Sequence, residues 1–263
     1  MSTVTVIKRN TWAIWKDVIF ALFARELRTG FNDKFGLSWA VINPVVFIFV
    51  LSFIREIING KLTHTLSTFT FMAIGILFIQ SFIKTFTACT MTVTKNKALF
   101  AFRQVQPISA VIAATLFQFL VKVFSLISIL IIMYFLDLGI VMTNGLLFIA
   151  CLCLLLLFAS SLGLLFGIAE LYISEVGKIR ELLTRPLFFI SATFFSLQDI
   201  PREFWPYLTW NPILHSIELS RYAVQPTYGD EGVSLLFLAG TVLATVFVSL
   251  SVYFVFWKQA ISR

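Results

Sequence analysis

Side chains able to do chemistry are scarce in this 263-residue chain. The two histidines, His64 and His215, cannot by themselves build a multi-histidine metal site. Neither H-E-x-x-H nor G-x-G-x-x-G occurs. Gly177-Lys178 runs into Ile179 and lacks the upstream glycine of a G-x-x-x-x-G-K-S/T phosphate loop, so the chain has no nucleotide cradle of that kind. Cys89, Cys151 and Cys153 lie in or beside apolar runs without metal spacing and read as small core residues. Lys122 is a base inside a long apolar run. The nearest acid on that run, Asp137, is about four helical turns away. Lys122 therefore faces a cavity or snorkels to an interface. Asp137 and Glu170 stand at the ends of apolar runs, whereas a proton-driven carrier needs carboxylates or histidines at mid-depth. The pattern favours a pore powered from outside. It gives no carboxylate or histidine constellation for a membrane-embedded glycosyl- or acyltransferase.

The elements that hold these residues are membrane elements. The composition is 59% hydrophobic and only 13% charged, against about 25% charged in soluble domains. The 30 phenylalanines read as lipid-facing and helix-packing bulk. Residues 1–18 scatter Lys8, Arg9, Lys16 and Asp17 among short apolar groups, which is not the pattern of a cleavable signal peptide. The net charge of +7 does not point to nucleic acid, because the bases fall in membrane-flanking segments.

The spacing predicts an all-α, polytopic single domain over 1–263. Residues 10–36 alternate Trp12, Trp15, Phe20, Phe23 and Leu27 with Lys16, Arg25 and Arg28, as in an amphipathic helix lying in the interface plane. Six spans of roughly 20 residues are expected, at 37–54, 66–86, 108–136, 145–169, 186–197 and 235–257. The fifth is too short to cross alone. It leads into residues 200–225, rich in Trp, Tyr and Pro, which predict short re-entrant helices. Irregular backbone at membrane depth is tolerated only where protein or a water-filled cavity covers it. With the N-terminus in the cytoplasm, most Lys and Arg fall on the inner side; only Arg55, Lys61, Arg202 and Arg221 fall outside. Two inner segments then stand out. Residues 94–103 are basic with exposed-looking aromatics, and 173–184 read as a short amphipathic helix. Both mix apolar anchors with charges, as a contact with a soluble partner requires; ordinary solvated loops are the alternative.

Three stretches carry a resemblance. The first is Phe23-Ala24-Arg25-Glu26-Leu27-Arg28-Thr29, followed by Phe35-Gly36-Leu37-Ser38-Trp39 and Asn43-Pro44. The second is Asn96-Lys97-Ala98-Leu99-Phe100, with Arg103, Val105 and Pro107-Ile108. The third is Arg185-Pro186-Leu187-Phe188-Phe189-Ile190-Ser191, then Ile200-Pro201, Trp205, Trp210-Asn211-Pro212, His215, Glu218-Leu219-Ser220-Arg221 and Glu231-Gly232-Val233-Ser234. Together they resemble the transmembrane subunit of ABC-2 type (type V) ABC exporters, specifically the capsular polysaccharide exporters of Gram-negative bacteria. Phe35 departs from the leucine usual in the first stretch.

The resemblance implies a homodimeric permease in the bacterial inner membrane, with both termini cytoplasmic and two separate ATPase subunits beneath. It implies no catalytic residue, metal or cofactor in this chain, with ATP and Mg bound by the partner. The cargo would be a lipid-linked polysaccharide passed to periplasmic adaptor and outer-membrane export proteins, among membrane lipids and without nucleic acid. O-antigen or teichoic acid is the alternative cargo. Arg25, Arg28 and Lys34 become candidates for the anionic linker, or for bulk anionic lipids. Lys95, Asn96, Lys97, Phe100, Phe102 and Arg103 would transmit ATPase motion, together with Glu175, Lys178 and Arg180. The 200–225 stretch would gate the outer mouth. Trp39, Phe188, Phe194, Phe195, Trp205, Tyr207 and Trp210 would line the sugar path, with helix packing or an interfacial belt as the alternative.

Overall fold

The computed structural model describes residues 10–32, 36–102, 104–139 and 142–262. Lys34 and Arg103 lie outside the described residues, as does the side chain of Trp39. Helix α1 (Thr11–Asn32) leads into α2 (Gly36–Asn59), which carries Pro44 in its interior. A two-residue hairpin follows, β1 (Leu62–Thr63) against β2 (Leu66–Ser67), with Leu62 opposite Ser67 and Thr63 opposite Leu66. Helix α3 (Thr68–Lys95) starts at an N-cap, where the Ser67 hydroxyl accepts from the Thr70 amide at 3.2 Å. A 3-10 turn (Lys97–Ala101) connects it to α4 (Pro107–Phe135), whose proline sits at the helix start, where the missing N–H costs nothing. Helix α5 (Gly145–Tyr172) is capped by Asn144 at the Leu147 amide, 3.0 Å. Next come α6 (Val176–Ile190), 3-10 turns at Leu197–Asp199 and Arg202–Phe204, and α7 (Trp205–Leu208). Helix α8 (Pro212–Val224), a 3-10 turn at Pro226–Tyr228 and α9 (Leu235–Ser262) complete the chain.

The architecture is all-α. Among the described residues four helices, α3, α4, α5 and α9, are long and apolar enough to cross a membrane. Helix α2 has 24 residues, about 36 Å at the standard rise. The separate fifth span expected at 186–197 takes another form. Helix α6 continues through Pro186 to Ile190, and the chain then breaks at 191–196, where Ala192 has a φ of 57°. A proline disfavours α geometry in the residue before it, which is why the sequence suggests a boundary there; the helix crosses that boundary.

Helix α3 is the hub. Of its most apolar window, 78% is buried, against 17% for α9. Its neighbours are α2, α4, α5 and α8. The α3–α5 contact is the most extensive, and it has two devices. Gly163 and Gly167 bring the α5 backbone so close that a methyl group on either would overlap Cys89 or Val93 of α3; this is small-xxx-small packing. Along the same seam, Phe78 meets Phe148, Phe82 stacks on Phe158 and Phe86 meets Phe166, with centroids 5.3, 5.6 and 5.1 Å apart. Much of the phenylalanine content is thus helix-packing bulk. Helices α4 and α9 present broad apolar faces outward, including Phe124, Ile131, Leu243, Phe247 and Phe254.

Candidate functional site

Two regions gather polar side chains into networks: a cap built from residues 191–234, and the loop-bearing end where α1, α3 and α6 present their bases.

The cap is held by one buried ion pair. Helix α8 begins at Asn211, whose side-chain oxygen caps the Ile213 amide at 3.0 Å while its amide donates to Ser191 Oγ at 2.9 Å. Three turns on, Arg221 has no solvent exposure. Its Nη1 donates to Glu218 Oε1 at 2.9 Å and to the Phe195 carbonyl at 3.2 Å. Its Nη2 donates to the carbonyls of Thr193 at 3.1 Å and Phe71 at 3.3 Å. The guanidinium lies 3.5 Å from the Phe71 ring centroid, a desolvated cation–π contact. Burial pushes the Glu218 carboxyl upward, opposed by the Arg221 guanidinium and the Tyr228 hydroxyl. That hydroxyl sits 3.0 Å from Glu218 Oε2 and 2.7 Å from Ser196 Oγ. Gly75 of α3 makes the approach possible: a Cβ there would collide with the Thr193 carbonyl and with Arg221 Nη2. One arginine therefore satisfies carbonyls from α3 and from the 191–196 break, where no helix ladder serves them.

The rest of the cap is tied with equal economy. Asp199 Oδ2 accepts from the Ser196 amide at 2.8 Å, and its Oδ1 lies 2.9 Å from His64 Nε2 in the hairpin turn. His215 Nε2 donates to the Thr209 carbonyl at 2.6 Å, and its Nδ1 accepts from the Ser234 amide at 3.0 Å. Those partners fix the neutral ring with its proton on Nε2. Burial holds its pKa below the ordinary value. Among the described residues no group of three or more His, Cys, Asp or Glu is placed to hold a metal ion.

The aromatic residues expected along a path separate into groups. Phe188 and Phe194 meet at 5.2 Å, and Phe188 reaches Phe47 of α2 at 6.1 Å. Phe195 and Trp205 instead pack around Ala192, Leu197 and Leu214, and the Trp205 indole donates to the Ile200 carbonyl at 2.9 Å. Both are anchors inside the cap. Tyr207 and Trp210 are 73% and 63% exposed, with the Trp210 indole on the Tyr207 carbonyl at 2.6 Å.

At the other end, Arg25 Nη2 donates to Asn96 Oδ1 at 2.6 Å and lies 3.5 Å from Glu26. Asn96 is buried, and its Nδ2 bonds the Thr92 carbonyl at 2.8 Å. Arg25 is thus a strut from α1 to the end of α3. Arg28 is exposed. In the 95–102 segment Lys95 and Phe102 face outward, but Phe100, read from the sequence as exposed, is 5% exposed and packs with Leu22, Val93, Ala110 and Ile168. On α6 Lys178 is exposed, as is Glu175 just before the helix, while Arg180 is turned inward at 6% exposure. Sequence reasoning missed the Glu218–Arg221–Tyr228–Ser196 network. Its signal was present: an acid and a base three residues apart inside an apolar helix face each other.

A family model described as ABC-2 type transporter matches residues 17–224. The chain is 33% identical to the polysialic acid transport protein KpsM of Escherichia coli, over 93% of this chain and 95% of that protein. It is 24% identical to the capsule polysaccharide export inner-membrane protein BexB of Haemophilus influenzae, over 92% of each. Against the capsule polysaccharide export inner-membrane protein CtrC of Neisseria meningitidis serogroup B the identity is 23%, over 81% and 82%.

Proposed function

The chain belongs to the ABC-2 type transporter family, and on that premise we propose that it is the membrane pore subunit of an ATP-driven exporter moving lipid-linked capsular polysaccharide across the bacterial inner membrane. The observation that carries this reading is the 33% identity with KpsM sustained over 93% of the chain. The capsule export names of BexB and CtrC support capsule over O-antigen or teichoic acid.

In this reading two copies form the pore, and two ATPase subunits, which bind the ATP and Mg, sit beneath it. The chain itself does no covalent chemistry; it contributes no metal or cofactor. Both termini are cytoplasmic. Helix α1 lies in the inner interface, where Arg28 and Lys34 meet anionic headgroups and Arg25 braces α3. The ATPase grips Lys95, Lys97, Phe102 and Arg103 on one loop, and Glu175 and Lys178 at the start of α6. Asn96, Phe100 and Arg180 hold those contacts from beneath. The cap of short helices dips back from the outer face and gates the mouth. Phe188 and Phe194, together with Trp39, form the apolar lining along which sugar faces slide, while Phe195 and Trp205 shape it from behind and Tyr207 and Trp210 sit in the outer interfacial belt. Periplasmic adaptor and outer-membrane export proteins take over the polymer beyond it.

The test is ATP hydrolysis by this chain alone, then co-expressed with its ATPase subunit, in wild type and Phe102→Ala. The expected result is no activity alone, activity in the complex, and weaker co-purification in the variant, because the Phe102 ring it removes is 65% exposed. Failure to bind any ATPase subunit overturns the reading.

A further inference from the structure

Three helix ends meet at the β1–β2 hairpin, and they leave a cleft of about 280 Å³ between them. That is close to the lower limit of ordinary ligand pockets, about 300–1,000 Å³. Helix α2 lines it with Phe49, Ser52, Phe53 and Glu56, an i, i+3, i+4, i+7 set that falls on one helix face. Lys61 lines it from the hairpin region, Phe69 from the first turn of α3, and Leu136 from the residue after α4. Phe49 and Phe69 meet edge to face at 6.4 Å and make one wall apolar.

The polar groups of this cleft are unpaired. Glu56 and Lys61 form no ion pair with each other or with any other described residue. Ser52 is only 2% exposed, and its Oγ has no hydrogen-bond partner among the described residues. Buried hydroxyls are normally satisfied, so an orphan on a cleft wall marks a place for a partner from outside. Lys61 stands at the start of α3, where its carbonyl accepts from the Thr68 amide at 3.0 Å. Its ammonium therefore adds to the positive end of the α3 dipole. Glu56 lies on α2, one turn beyond Ser52. The cleft thus has a positive side and a negative side, and a ligand of one sign satisfies only one of them. Its rim is apolar: Phe53 and Leu136 belong to the lining yet are 60% and 47% exposed.

We propose that this cleft seats a zwitterionic phospholipid of the phosphatidylethanolamine class. The phosphate sits on Lys61 and the start of α3, the primary ammonium donates to Glu56, and the Ser52 hydroxyl donates to a headgroup oxygen. The acyl chains run along Phe53 and Leu136, which face outward as a lipid-bearing rim must. The position suits a headgroup, because the ends of α2, α3 and α4 mark the level where apolar helix gives way to polar chain. Assigning the lipid to the outer leaflet rests on the exporter reading above; the site itself rests only on the cleft.

The test uses the full-length chain purified in detergent, with binding read by native mass spectrometry. Three lipids of the same acyl chains are compared: phosphatidylethanolamine, its N-trimethylated counterpart phosphatidylcholine, and phosphatidylglycerol. Trimethylation keeps the positive charge but removes the N–H donors. The wild type is therefore expected to prefer phosphatidylethanolamine over phosphatidylcholine by about tenfold, the worth of one charge-assisted contact. Glu56→Gln abolishes that preference, and Glu56→Asp keeps part of it. Lys61→Met weakens both lipids without changing their ratio. Ser52→Ala breaks no hydrogen bond within the chain, so it weakens phosphatidylethanolamine binding while thermal unfolding in lipid-free detergent stays equal or rises; this separates lost binding from lost fold. Lys258→Met, near the end of α9, changes nothing. Equal binding of phosphatidylethanolamine and phosphatidylcholine by wild type, a preference retained in Glu56→Gln, or tighter binding of phosphatidylglycerol than of either overturns the proposal. So does disulfide-linked dimer formed in membranes by Phe53→Cys above the wild-type level, which gives this face to a second copy instead. No step of the test reads transport, so the lipid site and the exporter reading fail separately.

Discussion

Replacing Arg221 by methionine is the perturbation that most sharply separates an anchored cap from an incidental one. The guanidinium makes four hydrogen bonds, to Glu218 and to the carbonyls of Phe195, Thr193 and Phe71, and covers the Phe71 ring. Methionine keeps much of the volume but leaves the Glu218 carboxylate 3% exposed without its cation. Breaking a buried pair from one side costs about 3–5 kcal/mol, a large share of a typical total stability of about 5–15 kcal/mol. The loss falls on the cap, because the long helices retain their own ladders and the α3–α5 contact. Pairing the change with Glu218→Gln removes the stranded charge while Tyr228 and Ser196 remain as partners for the amide. The double variant therefore recovers at least about 1 kcal/mol of coupling relative to the sum of the singles. The assay is limited proteolysis of the detergent-purified chain, with cleavage mapped to residues 198–232, alongside thermal unfolding of all four proteins. Arg221→Met that resists cleavage like wild type, or a double variant no better than the sum of its singles, refutes the keystone role of the pair.

Gly167→Val forces two β-branched side chains, the new one and Val93, into one space, which costs about 1–3 kcal/mol or more; the monodisperse fraction on size exclusion should fall sharply, whereas Gly240→Val, with open space around it, should not change it. Asn96→Ala leaves Arg25 without its 2.6 Å partner, at about 0.5–1.5 kcal/mol because the guanidinium stays open to water, and loosens α1 from α3, read as faster proteolysis of α1. His215 is neutral in the fold with a lowered pKa, so below its ordinary value of about 6.5 the unfolded chain takes up the proton first. Stability is present at neutral pH and falls as the pH drops from there toward the folded value. Cap proteolysis at pH 5.5 should exceed that at pH 7.5, and His215→Gln should flatten the difference.

What the sequence revealed and what it hid divide along physical lines. Apolar runs of the right length announce helices, and α3, α4, α5 and α9 lie where hydropathy places them. The irregular helices after residue 196 are legible from Pro201, Pro206, Pro212 and Pro226. Proline misled at position 186, because one missing N–H can be absorbed in a helix interior when neighbours hold it. Side-chain roles were harder. Phe100 sits in a polar loop and looks exposed, but the 3-10 turn points it into the core. Arg25 looks like a ligand for lipid, yet it finds an asparagine 71 positions away. Periodicity sees local spacing; such pairings depend on how helices cross.

Helix α6 has a mechanical consequence. Its 15 residues, about 22 Å long, run from the end bearing Lys178 to the end bearing Phe188, with contacts to α5, to α3 and, through Phe188, to Phe47 of α2. A hydrogen-bonded rod is stiff along its axis and soft in bending at a proline. In the exporter reading proposed above, a push on the Lys178 end would arrive at the Phe47–Phe188–Phe194 cluster, while Pro186, two residues before Phe188, would let the tip swing. On that reading the helix would work as a piston rod with a wrist.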